Sequence, residues 1–198
     1  MARRRKVANP LALAVLAWLM TGPMHPYELG RRLQETGMDR SVKFNRGSLY
    51  MVVEQLRKAG FVAEQETVRD SQRPERTVYA LTDEGRTELY DWMRELVAEP
   101  QHEYLQFGVA LSLLSVLPPV EAVELLTRRL ASLVSSVEDI RRTIRTATES
   151  GVGWIFLIEE EYRLTVLDAE STFVSGLMNS LQQPEYVREW HKSFGRLP

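Results

Sequence analysis

The sequence predicts a mainly α-helical chain in two parts. Three helices, a β-hairpin and a fourth helix come first; an all-helical half with long antiparallel, coiled-coil-like helices follows. Three observations carry that reading. The hydrophobic period changes from 3.6 residues toward 2 after Gly60, and Thr82 starts a helix again. Beyond Pro100 the pattern is helical only, and Val123, Leu126, Leu130, Leu133, Val137, Ile140 and Ile144 alternate spacings of three and four. Charge divides the same way: the 198 residues carry a net −2, yet residues 1–62 hold 11 Lys and Arg against 4 Asp and Glu. Residues 101–198 hold 9 against 13. The boundary is placed at Glu99-Pro100, giving residues 1–99 and 100–198.

The elements follow in order. Pro10 opens the first helix, where its missing N–H costs nothing, and Thr21-Gly22-Pro23 closes it. Leu11, Leu13, Val15, Leu16, Trp18 and Leu19 leave that helix almost no polar face, so it is core. His25-Pro26 starts a second helix, with Leu29 and Leu33 inward and Arg31 and Arg32 outward, and Thr36-Gly37 ends it. Residues 41–44 read as a connector or a one-bridge strand. The third helix spans Asn45 to Gly60, with Asn45 as cap and Gly60 as stop. At 100° per residue Leu49, Val53 and Leu56 share one face, with Met51, Glu54, Gln55 and Lys58 opposite.

Residues 61–68 and 76–81 are rich in Val, Thr, Tyr and Phe and flank a polar, Pro-containing tip. Thr82 then caps a helix whose first turn holds Asp83 and Glu84. Helix, helix, helix, hairpin, helix is the winged helix-turn-helix order, with the third helix as reader and the hairpin as wing. In the second half, residues 104–117 are apolar almost all round. Val120 to about Thr148 forms a helix about 40 Å long, and Gly151-Val-Gly153 turns the chain. Residues 154–181 return as a second long helix, with Ile155, Ile158, Tyr162, Val166, Ala169, Phe173 and Leu177 at helical spacing. Pro184 ends it before a short tail.

Several classes are excluded on composition and motif. The chain has no cysteine, hence neither disulfides nor thiolate metal sites, which is compatible with the cytoplasm. A basic start followed by Leu11–Met20 imitates a signal peptide, but no small-residue cleavage site follows. That run is also about half of the roughly 20 residues that span a bilayer, so no membrane contact is expected. Enzyme chemistry finds no footing. Glu99–His102 is the only pair resembling a helical carboxylate metal motif, Pro100 interrupts it, and no phosphate loop or nucleophile elbow appears. No cofactor and no metal are expected.

Four blocks then resemble a known family: residues 11–29 (Leu-Ala-Leu-Ala-Val-Leu-Ala-Trp-Leu-Met-Thr-Gly-Pro-Met-His-Pro-Tyr-Glu-Leu), Gly-Ser-Leu-Tyr at 47–50, Leu-Arg-Lys-Ala-Gly-Phe-Val at 56–62 and Tyr-Ala-Leu-Thr-Asp-Glu-Gly at 79–85. Their order and spacing resemble PadR-type transcriptional regulators. The helical second half resembles the longer branch of that family, with an AphA-like dimerisation domain. The resemblance implies a homodimer that binds double-stranded DNA at an inverted-repeat operator, usually as a repressor, with a small-molecule effector releasing it. This chain departs from the family twice: Met51 replaces a common Pro, and Phe44 stands where Trp is common.

On this reading Arg46, Ser48, Met51, Gln55 and Lys58 of the third helix touch DNA. Gln can pair with adenine in two hydrogen bonds, Met can meet a thymine methyl, and Arg and Ser can reach base edges or phosphate. Tyr27 and Tyr50 carry over from the family motifs as phosphate ligands, or else pack between the two helices. Lys43 precedes the reader helix. Arg69, Arg73 and Arg76 are wing candidates for phosphate or the minor groove. Arg3, Arg4 and Arg5 belong to a basic arm that either follows the DNA backbone or is solvated. The dimer is assigned to Val123, Leu126, Leu130, Leu133, Val137, Ile140 and Ile144, with Tyr162 and Phe173; the competing reading of the seam is internal core. Trp92, Tyr104, Phe107 and Trp154, with Phe156, are effector-pocket candidates or ordinary core. The alternative function is a winged helix that binds protein and not DNA.

Overall fold

The computed structural model describes residues 5–65, 77–100 and 102–195. The chain divides into two compact units, Met1–His102 and Glu103–Pro198.

In the first unit, helix α1 (Pro10–Leu19) starts on the Asn9 side chain, which accepts from the Leu11 amide. Its Leu11, Val15, Leu16 and Leu19 are buried. Helix α2 (Pro26–Glu35) is capped by His25, whose Nδ1 accepts from the Tyr27 amide at 3.1 Å. A 3-10 turn at Met38–Arg40 leads to helix α3 (Arg46–Ala59), which ends at Gly60 with φ +83°, a conformation that favours glycine. Strands β1 (Val62–Gln65) and β2 (Val78–Leu81) pair antiparallel, Val62 opposite Leu81 and Gln65 opposite Val78. Residues 41–44 form the connector, and the isolated bridge lies elsewhere: Met24 exchanges two backbone hydrogen bonds with Tyr79, each 3.0 Å. Helix α4 (Asp83–Ala98) begins at Thr82, whose Oγ1 accepts from the Gly85 amide. Leu29 and Leu33 of α2, Leu49, Val53 and Leu56 of α3, and Leu89 and Trp92 of α4 close one core around α1. These elements make a winged helix-turn-helix.

The second unit is helical throughout its described residues. The apolar run after residue 104 gives helix α5 (Gln106–Ser112) and a 3-10 turn at Leu114–Val116. Helix α6 (Pro119–Glu149) and helix α7 (Ile158–Leu181) pack along each other, joined through a 3-10 turn at Trp154–Phe156. The tail is ordered as helix α8 (Pro184–Phe194), and its Trp190 Nε1 donates to the Ser115 carbonyl at 2.9 Å.

The long pair corrects one expectation. The seam on α6 packs within its own chain: Leu126, Leu133, Val137 and Ile140 are buried, while Val123, Leu130 and Ile144 are half-buried. Most of that seam meets Leu167, Val174, Leu177, Met178 and Leu181 of α7. The apolar face of α7 that includes Tyr162 and Phe173 is largely bare. Ile158, Tyr162, Val166 and Phe173 are 44–69% exposed and lie within about 80° of one another, opposite Leu167 and Val174.

Candidate nucleic-acid interface

The reader helix is fixed by its first turn. Asn45 Oδ1 accepts from the Ser48 amide, and Ser48 Oγ accepts from the Asn45 amide, both at 2.8 Å. This reciprocal cap satisfies two donors that a helix end otherwise leaves open. Ser48 Oγ also donates to the Asn45 carbonyl at 3.0 Å. Its hydroxyl serves the cap in the free chain, so Ser48 fixes the first turn of the helix. Opposite the buried Leu49, Val52, Val53 and Leu56, α3 exposes Arg46, Met51, Gln55 and Lys58. Met51 is 63% exposed.

A second group gathers where α2 meets the start of α3. Tyr27, Arg46 and Tyr50 line a shallow cavity of about 190 Å³ with a floor that includes Pro26, Phe44 and Leu49. The Arg46 guanidinium stands 5.9 Å from the Tyr50 ring centre, and His25 meets the same ring edge-on at 6.2 Å. Tyr27 is 59% exposed, so packing between the helices does not account for it. Lys43 is exposed on the approach to α3. The contact of His25 with Tyr50 had no signal in the sequence.

The acidic members of this surface are neutralised locally. Arg57 Nε and Nη2 bind both oxygens of Glu54 and hold its carboxyl below the usual range. Glu28 is lowered in the same way by hydrogen bonds from Arg31 and Arg32.

Arg5 leaves the group assigned to DNA. Its side chain is 5% exposed, its Nη1 donates to Glu88 Oε1 at 2.8 Å and its Nη2 binds Glu95, with the guanidinium 5.1 Å from the Trp92 ring centre. A cation so enclosed ties the chain start to α4. Arg3, Arg4, Arg69, Arg73 and Arg76 lie outside the described residues. The effector aromatics fall into separate settings. Trp92 is core of the first unit, Phe107 lies under the Arg129 guanidinium at 3.5 Å, and Tyr104, Trp154 and Phe156 are exposed.

A capped helix with a bare polar and thioether face, held by a second helix and followed by a two-stranded wing, defines a winged helix-turn-helix of the DNA-binding type. Residues 15–91 match the family described as the transcriptional regulator PadR-like family. The fold agrees with solved structures over most of its length. PadR of Bacillus subtilis in complex with operator DNA aligns with a TM-score of 0.72 at 19% identity, over 88% of this chain and 100% of that one. The same protein in complex with p-coumaric acid gives 0.69 at 17%, over 92% and 99%. The Vibrio cholerae virulence activator AphA gives 0.66 at 16%, over 86% and 97%. No curated protein matches the chain. Among the described residues no helix is long and apolar enough to cross a membrane.

Proposed function

We propose that the protein is a sequence-specific transcriptional repressor that binds an inverted-repeat operator as a homodimer. The observation that carries this reading is α3 itself: four buried residues anchor it, and Arg46, Met51, Gln55 and Lys58 stand exposed on the other side. Such a helix enters the major groove, with Gln55 and Met51 at base edges and Arg46, Tyr27 and Tyr50 at phosphates. Lys43 and the wing and arm residues Arg69, Arg73, Arg76, Arg3 and Arg4 complete the proposed contacts. A fold neighbour solved on operator DNA supports the reading. Another solved with p-coumaric acid supports release by a small-molecule effector.

The dimer is assigned to the outer face of α7. Ile158, Tyr162, Val166 and Phe173 form a stripe about 22 Å long, continued by the exposed Ile155 and Phe156. The α6 seam packs inside the chain, and this stripe is the apolar face of α7 that a second copy would cover.

Gel-shift titration on the protein's own promoter region at several salt concentrations tests the function. Retardation should weaken steeply as salt rises, because phosphate contacts release counterions. Failure to retard at low salt would leave a winged helix that binds protein only.

A further inference from the structure

One residue on the outward side of α3 opposes the charge of its surroundings. Glu54 is an acid on the outward face of α3, about 130° from the buried row of Leu49, Val53 and Leu56. Its side chain is 40% exposed. Arg57 grips it through Nε to Oε2 at 2.7 Å and Nη2 to Oε1 at 2.8 Å. Lys58 Nζ lies 3.6 Å from Oε1, and Arg57 Nε is 3.5 Å from Glu64 on β1. Exposed helix pairs of this kind stabilise a helix only slightly, so stability alone is a thin reason for an acid here.

The pair presents an acceptor beside a donor. An ionised carboxylate accepts only, with about four lone-pair directions, of which Arg57 occupies two. An ammonium donates only. In the major groove a C·G pair shows the complementary pattern, the N4 amino donor of cytosine beside the O6 and N7 acceptors of guanine. Adenine also has a donor, but its N7 acceptor lies next to it and repels a carboxylate, while thymine offers O4 and a methyl group.

We propose that Glu54 and Lys58 together read one C·G base pair in each half-site, Glu54 accepting from cytosine N4 and Lys58 donating to guanine O6 or N7; this rests on the DNA-binding reading above. Arg57 is the positioning residue. It fixes the carboxylate rotamer, ties it toward the wing strand through Glu64, and offsets its repulsion from flanking phosphates.

The test is selection of bound duplexes from a randomised pool by the full-length protein at one salt concentration, repeated with Glu54→Ala, Glu54→Gln and Lys58→Ala. The native protein should fix C·G at one position per half-site by about tenfold over the next base pair. Glu54→Ala should lose that preference at that position alone, and Lys58→Ala should loosen the same position. Glu54→Gln should shift it toward adenine, which Gln pairs with in two hydrogen bonds; being isosteric, it keeps the test decisive should the Ala variant fail to fold. If Glu54→Ala binds every sequence more tightly while all positional preferences persist, the acid only repels phosphate and the proposal is overturned. A native protein that enriches no sequence overturns the DNA-binding reading itself, a different result from selection without a Glu54-dependent position.

Discussion

Gly85→Ala strikes the joint between the reader helix, the wing and α4. Gly85 is in the first turn of α4, and its amide donates to Thr82 Oγ1 at 3.0 Å. Thr82 Oγ1 in turn donates to the Gly60 carbonyl at 2.8 Å, and the Thr82 amide donates to the Phe61 carbonyl at 3.1 Å. A Cβ at residue 85 would lie 1.9 Å from the Phe61 carbonyl oxygen, 2.8 Å from its carbon and 2.9 Å from Leu81 Cδ1. The first two are backbone atoms, so no rotamer relieves the overlap; α4 must move away and loosen the Thr82 cap. Overpacking costs about 1–3 kcal/mol and a lost cap about 1. The helix preference of Ala over Gly returns up to about 1. The net is roughly 1–3 kcal/mol, or about 5–20 °C in melting temperature for a unit of this size. Scanning calorimetry measures it, with Gly108→Ala as control because nothing lies within 4 Å of its added Cβ. A Gly85→Ala protein that melts with the native one would refute the packing argument at this joint.

Other outcomes follow from single contacts. Arg5→Ala should cost about 3 kcal/mol by leaving Glu88 buried without its cation, while DNA affinity per folded molecule stays unchanged in a gel shift. Tyr162→Glu should give a monomer in sedimentation with native helicity by circular dichroism, whereas Leu133→Glu should unfold the second unit; a dimeric Tyr162→Glu protein would remove α7 from the interface. Met51→Ala should relax operator preference in duplex selection and leave the dimer intact. Glu28 has a folded pKa below its ordinary 4.5, so its ion pairs stabilise above that pH and are lost as pH falls through the lowered value. The acid limb of a pH–melting curve should therefore shrink in Glu28→Gln.

What the sequence revealed was local chemistry. Asn45 and Gly60 bracketed α3 because a capping side chain and a positive-φ stop act within one turn, and Thr82 marked α4 for the same reason. Contacts spanning long separations were not legible. Arg5 meets Glu88 and Glu95 across 83 and 90 residues, and nothing near Arg5 distinguishes it from a solvated arm. Helix α7 was legible as a helix, but not the side it shares with α6. It has two apolar faces, and periodicity shows that a face is apolar without showing which one its neighbour covers. Ser48 shows the limit of reading function from residue type, since its hydroxyl suits both phosphate and cap.

The energetics of reading explain why the bare stripe on α7 matters to α3. A mismatched base pair costs about 1–3 kcal/mol, and the outward row of Met51, Glu54, Gln55 and Lys58 can address only a few base pairs. One copy therefore discriminates by roughly 4–8 kcal/mol at best, against a genome that offers on the order of a million or more competing sites. Two copies held together add their discrimination without adding residues to either reader. Loss of the dimer should then do more than weaken binding. With Tyr162→Glu the contrast between operator and random DNA should collapse by several orders of magnitude, while non-specific, salt-dependent binding through the basic residues falls far less. Equal losses on both kinds of DNA would mean that the second subunit adds affinity alone, and that a single α3 already carries the specificity.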